Sequence, residues 1–125
     1  MHTGAMSRGH SYRNGQWIDA AELSVPIDDL GFEMGVTVVE RLRTFSGAPY
    51  RTDEHVARLR RSLQIVGWNA EALANEASEA IREFAHRNAA YMAPGDDWAI
   101  VAFVTPGKVY DGSEARLCVH GFPLP

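Results

Sequence analysis

The chain contains one cysteine, Cys118, so no disulfide can form within it, and this usage fits a reducing compartment such as the cytoplasm. No apolar run approaches the roughly 20 residues that a membrane-spanning helix needs. The N-terminal Met1-His-Thr-Gly-Ala-Met-Ser-Arg-Gly-His lacks the apolar core of a signal peptide. Positive charge is nowhere gathered into a basic tract and the net charge is −4, which argues against nucleic acid or an anionic membrane as the main partner. The histidines His55, His86 and His120 are scattered, Cys118-Val119-His120 is only a pair, and no zinc spacing emerges. Asp28, Asp29 and Glu33 cluster without the loop pattern of a calcium site. There is no Gly-x-Ser-x-Gly nucleophile elbow, no internal repeat and no low-complexity tract. Lysine occurs once, as Lys108 in Thr105-Pro-Gly-Lys. That segment lacks the glycine spacing and the following Ser/Thr of a phosphate-binding loop.

What is present is an ordinary globular composition: 46% hydrophobic and 22% charged over 125 residues, about one domain by length. Residues 1–11 are small, polar and glycine-bearing and read as a disordered lead or a cloning remnant. Short strands are predicted at 16–18, after the Asn14-Gly15 turn signal, and at 23–27. Residues 28–35 read as a loop with Gly31 and Gly35 at tight turns. Residues 36–45, rich in β-branched and aromatic side chains, make the firmest strand. Ser46-Gly47 turns the chain into a short return strand at 49–51. Thr52 or Asp53 caps a helix whose apolar stripe is Val56, Leu59, Leu63 and Val66, and Gly67 ends it. Asn69 caps a second helix running to about Asn88, with a Glu83–Arg87 surface pair. Pro94-Gly-Asp-Asp is a turn, residues 98–104 a central strand, 105–114 a loop and 115–121 a last strand. The expected fold class is therefore α+β: an antiparallel sheet with two helices packed on one side.

Alternation along the central strand puts Val39, Arg41 and Arg43 on one face, and Val38, Glu40, Leu42 and Thr44 on the other. Two arginines on one face suit a carboxylate or phosphate. From the strand alone, a solvent-facing half-sheet, where charged residues are normal, is the preferred explanation. Glu40, among apolar neighbours, needs hydrogen-bond partners and reads as structural. On the helix, Arg58 lies beside His55 and Ser62, and Glu54 four residues earlier makes an ordinary surface pair with it. Arg60 and Arg61 read as solvated charge.

Taken together, Asn14-Gly-Gln-Trp-Ile, Asp29-Leu-Gly-Phe-Glu-Met-Gly, Val38-Val-Glu-Arg-Leu-Arg-Thr-Phe-Ser-Gly and Asp53-Glu-His-Val-Ala-Arg-Leu-Arg-Arg-Ser-Leu closely resemble the N-terminal small domain of the class IV aminotransferases. These are fold-type-IV enzymes that use pyridoxal 5'-phosphate (PLP), the branched-chain aminotransferases among them. The specific element is an ordered pair: Val-Glu-x-x-Arg on a strand, then Glu-His-x-x-Arg-Leu on a helix. The resemblance covers residues 14–68 strongly and 98–125 moderately, and the helix between them is generic.

The resemblance implies amino-group transfer between an amino acid and a 2-oxo acid, in a homodimer. It makes Arg58 the ligand of the PLP phosphate and places Val39, Arg41, Arg43 and Met34 at the substrate. It puts no catalytic residue and no metal in this chain. The family's Schiff-base lysine lies in a second domain, and Lys108, in a loop with nothing to desolvate it, is not expected to replace it. Residues 12–121 then correspond to the small domain and 122–125 to the start of an interdomain linker, the C-terminal domain being absent from the chain. Several positions depart from the branched-chain pattern: Val39 replaces an aromatic residue, Arg41 a glycine, Met34 a tyrosine and Ala99 an arginine. Two other readings stay open: an aminodeoxychorismate lyase-like PLP lyase, and a non-catalytic binding module derived from the family.

Overall fold

The computed structural model describes residues 9–124. Its strands are β1 (His10–Arg13), β2 (Gln16–Asp19), β3 (Val38–Phe45), β4 (Ala48–Pro49), β5 (Trp98–Thr105) and β6 (Arg116–Pro123), and its helices are α1 (Leu30–Glu33), α2 (Thr52–Val66) and α3 (Ala70–Asn88). All six strands join one antiparallel sheet in the order β2-β1-β6-β5-β3-β4. The α+β class and the two long helices on one side are as the sequence predicts. The one-turn α1 is added within the expected 28–35 loop.

The core lies between the sheet and the long helices. Val56, Leu59 and Leu63 from α2 and Leu73, Ala77, Ile81 and Phe84 from α3 pack against Val38, Leu42, Ile100, Ala102, Val104, Leu117 and Val119 from the strands. Each fully buried side chain of the Leu or Phe type contributes about 1.5–3 kcal/mol relative to exposure. This is why helices with polar outer faces stay docked. None of the helices among the described residues is long and apolar enough to cross a membrane. Gly67, at φ 81°, closes α2 as expected, its N–H donating to the Leu63 carbonyl.

Both helix starts differ from expectation in mechanism. Thr52 is the first residue of α2 and is buried, and Arg51 in the left-handed region precedes it without a side-chain cap. Asn69 stands where a cap is predicted, also left-handed, and makes no side-chain capping bond. Asn tolerates that backbone region better than most residues, so its contribution is conformational.

Residues 23–27 do not form a strand. Pro26 has no N–H to give a ladder, Val25 and Ile27 are exposed, and a 3-10 turn (Ala20–Glu22) ends just before the segment. The return strand is only Ala48–Pro49. At the N-terminal end, His10 and Ser11, which the sequence places in the lead, belong to β1, with Ser11 buried. Asn88 holds this strand from 78 residues away, accepting from His10 N–H at 2.8 Å and donating to its carbonyl at 3.0 Å. Residues 1–8 of the expected lead lie outside the described residues. At the other end, Phe122 and Pro123 pair with Ala99 and Trp98, so β6 continues past the predicted boundary at Gly121.

Candidate functional site

Strand β3 organises the site from both of its faces. Its burial alternates strictly, with Val38, Glu40, Leu42 and Thr44 toward the helices and Val39, Arg41, Arg43 and Phe45 away from them. Toward the helices, Glu40 is buried and receives α2. Its Oε1 accepts from Arg58 Nη2 at 2.6 Å and from Arg58 Nε at 3.0 Å, and lies 2.7 Å from His55 Nδ1. Burial alone would raise the Glu40 pKa and is the largest single influence. The bonds from Arg58 and His55 together overcome it and hold the carboxyl below its ordinary range. The expected structural role for Glu40 thus takes a definite form.

Arg58 is held through two nitrogens, yet its side chain remains 61% exposed. It lines a cleft of about 230 Å³ with Arg51, Glu54, His55 and Arg61. Glu54, expected to pair with Arg58, instead pairs with Arg51 at 3.3 Å, because the buried Glu40 already occupies the Arg58 fork. Arg60 is drawn to Glu71 on α3 at 3.1 Å. Arg61, exposed as its reading as solvated charge expects, lies one turn from Arg58 on α2 and lines the cleft too.

Neither long helix lies on the opposite face of the sheet. Arg43 donates from Nε to the Thr44 carbonyl at 3.0 Å, lies over the Phe45 ring at 3.8 Å and approaches Asp97 at 3.7 Å. Asp97 in turn accepts from the Thr44 hydroxyl at 2.6 Å and from Gly47 N–H at 3.0 Å, and these bonds keep its pKa low. Val39 and Arg41 are exposed between Arg43 and the loop end of the strand. Cys118 is buried, and that burial pushes its thiol up to about 11, which removes thiolate chemistry at neutral pH.

The two loops at one end of the sheet form a single unit. Asp29, only 3% exposed, accepts from Gly31 N–H at 2.7 Å and from the Thr105 hydroxyl at 2.8 Å. Leu30 N–H donates to the Gly107 carbonyl at 2.8 Å. A Cβ at Gly31 would come within 2.8 Å of Thr105 Cγ2, so only glycine permits this docking. Lys108 pairs with Asp28 at 3.2 Å. Met34, at the end of α1, is exposed. The latch role of Asp29 escaped the sequence reading, which grouped it with Asp28 and Glu33; the Asp-x-Gly spacing was the usable signal. Among the described residues no group of three His, Cys, Asp or Glu side chains could hold a metal ion.

The structure therefore gathers Arg58, His55 and Glu40 on one side of β3, and Val39, Arg41 and Arg43 on the other, with Met34 and Lys108 on the joined loops. The domain is an antiparallel sheet with two long helices on one face and arginines among apolar side chains on the other. Residues 37–121 match the family model described as amino-transferase class IV, and the chain belongs to that family. It is 37% identical over 54 residues to a D-alanine aminotransferase of Bacillus licheniformis, a stretch that is 43% of this chain and 19% of that protein. The branched-chain amino acid aminotransferase of Escherichia coli shares the fold with a TM-score of 0.77 at 20% identity, over 94% of this chain and 41% of that one. A hypothetical aminotransferase of Mycobacterium tuberculosis in its PLP-bound form does so with a TM-score of 0.73 at 20% identity, over 93% of this chain and 40% of that one. The chain thus spans less than half the length of these relatives.

Proposed function

We propose that this chain is the N-terminal small domain of a PLP-dependent enzyme that transfers an amino group between an amino acid and a 2-oxo acid. The observation that carries the proposal is the condition of Arg58, fixed by Glu40 through Nε and Nη2 yet 61% exposed in a cleft shared with Arg51 and Arg61. A guanidinium already immobilised loses little freedom when it binds an anion. A phosphate dianion suits this donor set in charge and in geometry.

The cofactor, when bound, supplies the electron sink for chemistry at the amino-bearing carbon. Arg58 would hold its phosphate, with Arg51 and Arg61 adding positive charge to the cleft. The lysine that carries the cofactor would come from a domain other than this one, and Lys108, ion-paired with Asp28, is not given that role. Across β3, Val39, Arg41 and Arg43 would face the substrate and its carboxylates. The joined loops bearing Met34 would close the site. Exposed Ile27, Phe32 and Met34 at the loop end suit burial against a second copy, hence a homodimer. Arg41 disfavours a branched-chain specificity, because an apolar side chain leaves a guanidinium without a partner. The proposed location is the cytoplasm.

A lyase of the same family acting on an anionic substrate is the second reading, favoured by the same cation-bearing face. Product analysis with the full-length protein and added PLP separates the two. Amino transfer requires a 2-oxo acid acceptor and yields a new amino acid, whereas lysis proceeds without an acceptor. A PLP-loaded protein that transfers no amino group from any of a broad panel of amino acids would refute the leading reading.

A further inference from the structure

Three side chains of graded exposure meet at one oxygen atom. Glu40 is 6% exposed, His55 20% and Arg58 61%. His55 and Arg58 stand three residues apart on α2 and so share a face of the helix, and Glu40 reaches that face from β3. Glu40 Oε1 lies 2.7 Å from His55 Nδ1 and accepts from Arg58 Nη2 at 2.6 Å, while Glu40 Oε2 accepts from Arg58 Nε at 3.2 Å.

The chemistry of the partners places the proton between His55 and Glu40. The carboxyl is held ionised by its neighbours, and a carboxylate only accepts, so the proton sits on His55 Nδ1. A protonated Nδ1 cannot accept from Arg58 Nη2, 3.5 Å away, and the two nitrogens are instead neighbouring donors to one oxygen. An Arg58 fork alone would follow the Glu40 carboxylate as it rotates, because the two planar groups turn together. A third donor from a different side chain opposes that rotation. Arg58 engages Glu40 through Nε and Nη2, and its Nη1 makes no hydrogen bond among the described residues. The same side chain lines the cleft with Arg51 and Arg61.

We propose that His55 is a positioning residue for the anion site: by bonding to Glu40 it locks the carboxylate that aims Arg58 at the cofactor phosphate. The inference rests on Arg58 holding that phosphate, and adds a residue that acts on it only through Glu40. Charge is not what His55 contributes, since Arg51, Arg58 and Arg61 supply it, so a neutral donor at the same place suffices. A guanidinium set in advance loses less freedom on binding an anion. Loosening it therefore weakens the phosphate contact and leaves the hold on the rest of the cofactor unchanged.

The test measures the affinity of the full-length apoprotein for PLP and for pyridoxal, which lacks the phosphate, in wild type, His55→Ala, His55→Asn, Glu40→Gln and the double variant Glu40→Gln/His55→Ala. His55→Ala is expected to lower the ratio of PLP to pyridoxal affinity about threefold or more. His55→Asn, with an amide N–H where Nδ1 stood, is expected to restore most of it, and the double variant to lose no more than Glu40→Gln alone. A ratio unchanged in His55→Ala would overturn the proposal, whether both affinities hold or both fall together. So would a loss that His55→Asn does not restore, or a further loss in the double variant, which would mean that His55 touches the phosphate directly. Failure of the cofactor reading shows separately, as a ratio that Arg58→Ala leaves unchanged. The positioning role is then decided in the apoprotein by NMR of the Arg58 Nε–H. Slow solvent exchange that is lost in His55→Ala and regained in His55→Asn upholds it, and exchange that neither variant alters overturns it.

Discussion

Glu40 grips Arg58 through both Nε and Nη2, at 3.0 and 2.6 Å, from the buried side of β3. The acid is buried and the base is open to water, so the pair orients the guanidinium more than it stabilises the domain. Solvent around Arg58 screens the attraction.

The pH dependence of that pair has a definite sign. Its partners hold the Glu40 pKa below the ordinary value. A carboxyl with a depressed native pKa adds stability that is fully present above its unfolded pKa and is lost as the pH falls toward the native one. Glu40→Gln is therefore expected to cost about 1–2 kcal/mol near neutrality, with the deficit against wild type shrinking below about pH 4.3. Denaturant unfolding at a series of pH values checks this. A deficit that grows on acidification would show that the Glu40 bonds do not have the role described.

Asn88 ties β1 to the end of α3 and also donates to the Phe84 carbonyl at 2.9 Å. Asn88→Ala leaves a buried strand end without those partners, and a loss of about 1–3 kcal/mol is expected. Hydrogen exchange should rise first at residues 10–19, since β2 reaches the sheet only through β1. Unchanged protection there would contradict the anchoring role.

Asp29 latches one loop to the other. Asp29→Ala removes its bonds from Gly31 and Thr105 and should increase proteolytic nicking at residues 28–35 and 105–114 together. The far ends of β5 and β6 should stay protected. Nicking confined to one loop would mean that the loops do not act as a unit.

Much of the fold was legible because its main elements carry strong periodicity. The Val-Glu-Arg-Leu-Arg-Thr alternation of β3 appears unchanged in its burial, and the apolar stripes of α2 and α3 appear in the core. Strand β1 was not legible, because His10-Ser-Tyr-Arg has no apolar pattern and depends on Asn88, far away in sequence. Residues 23–27 resemble a strand by composition, but Pro26 lacks a donor for a ladder and Val25 and Ile27 are exposed. The motif named Arg58, Arg41 and Arg43. It did not reveal that Glu40 would take the Arg58 fork in place of Glu54, since that choice depends on how α2 crosses β3.

The most direct measurement is the equilibrium affinity of the full-length apoprotein for PLP, followed by absorbance, for wild type, Arg58→Ala and Glu40→Gln. The account predicts weakening by about tenfold or more in Arg58→Ala, from the loss of a charge-assisted phosphate contact, and a smaller loss in Glu40→Gln, where the guanidinium remains but is less firmly held. Wild-type affinity in Arg58→Ala, with the variant folded, would contradict it.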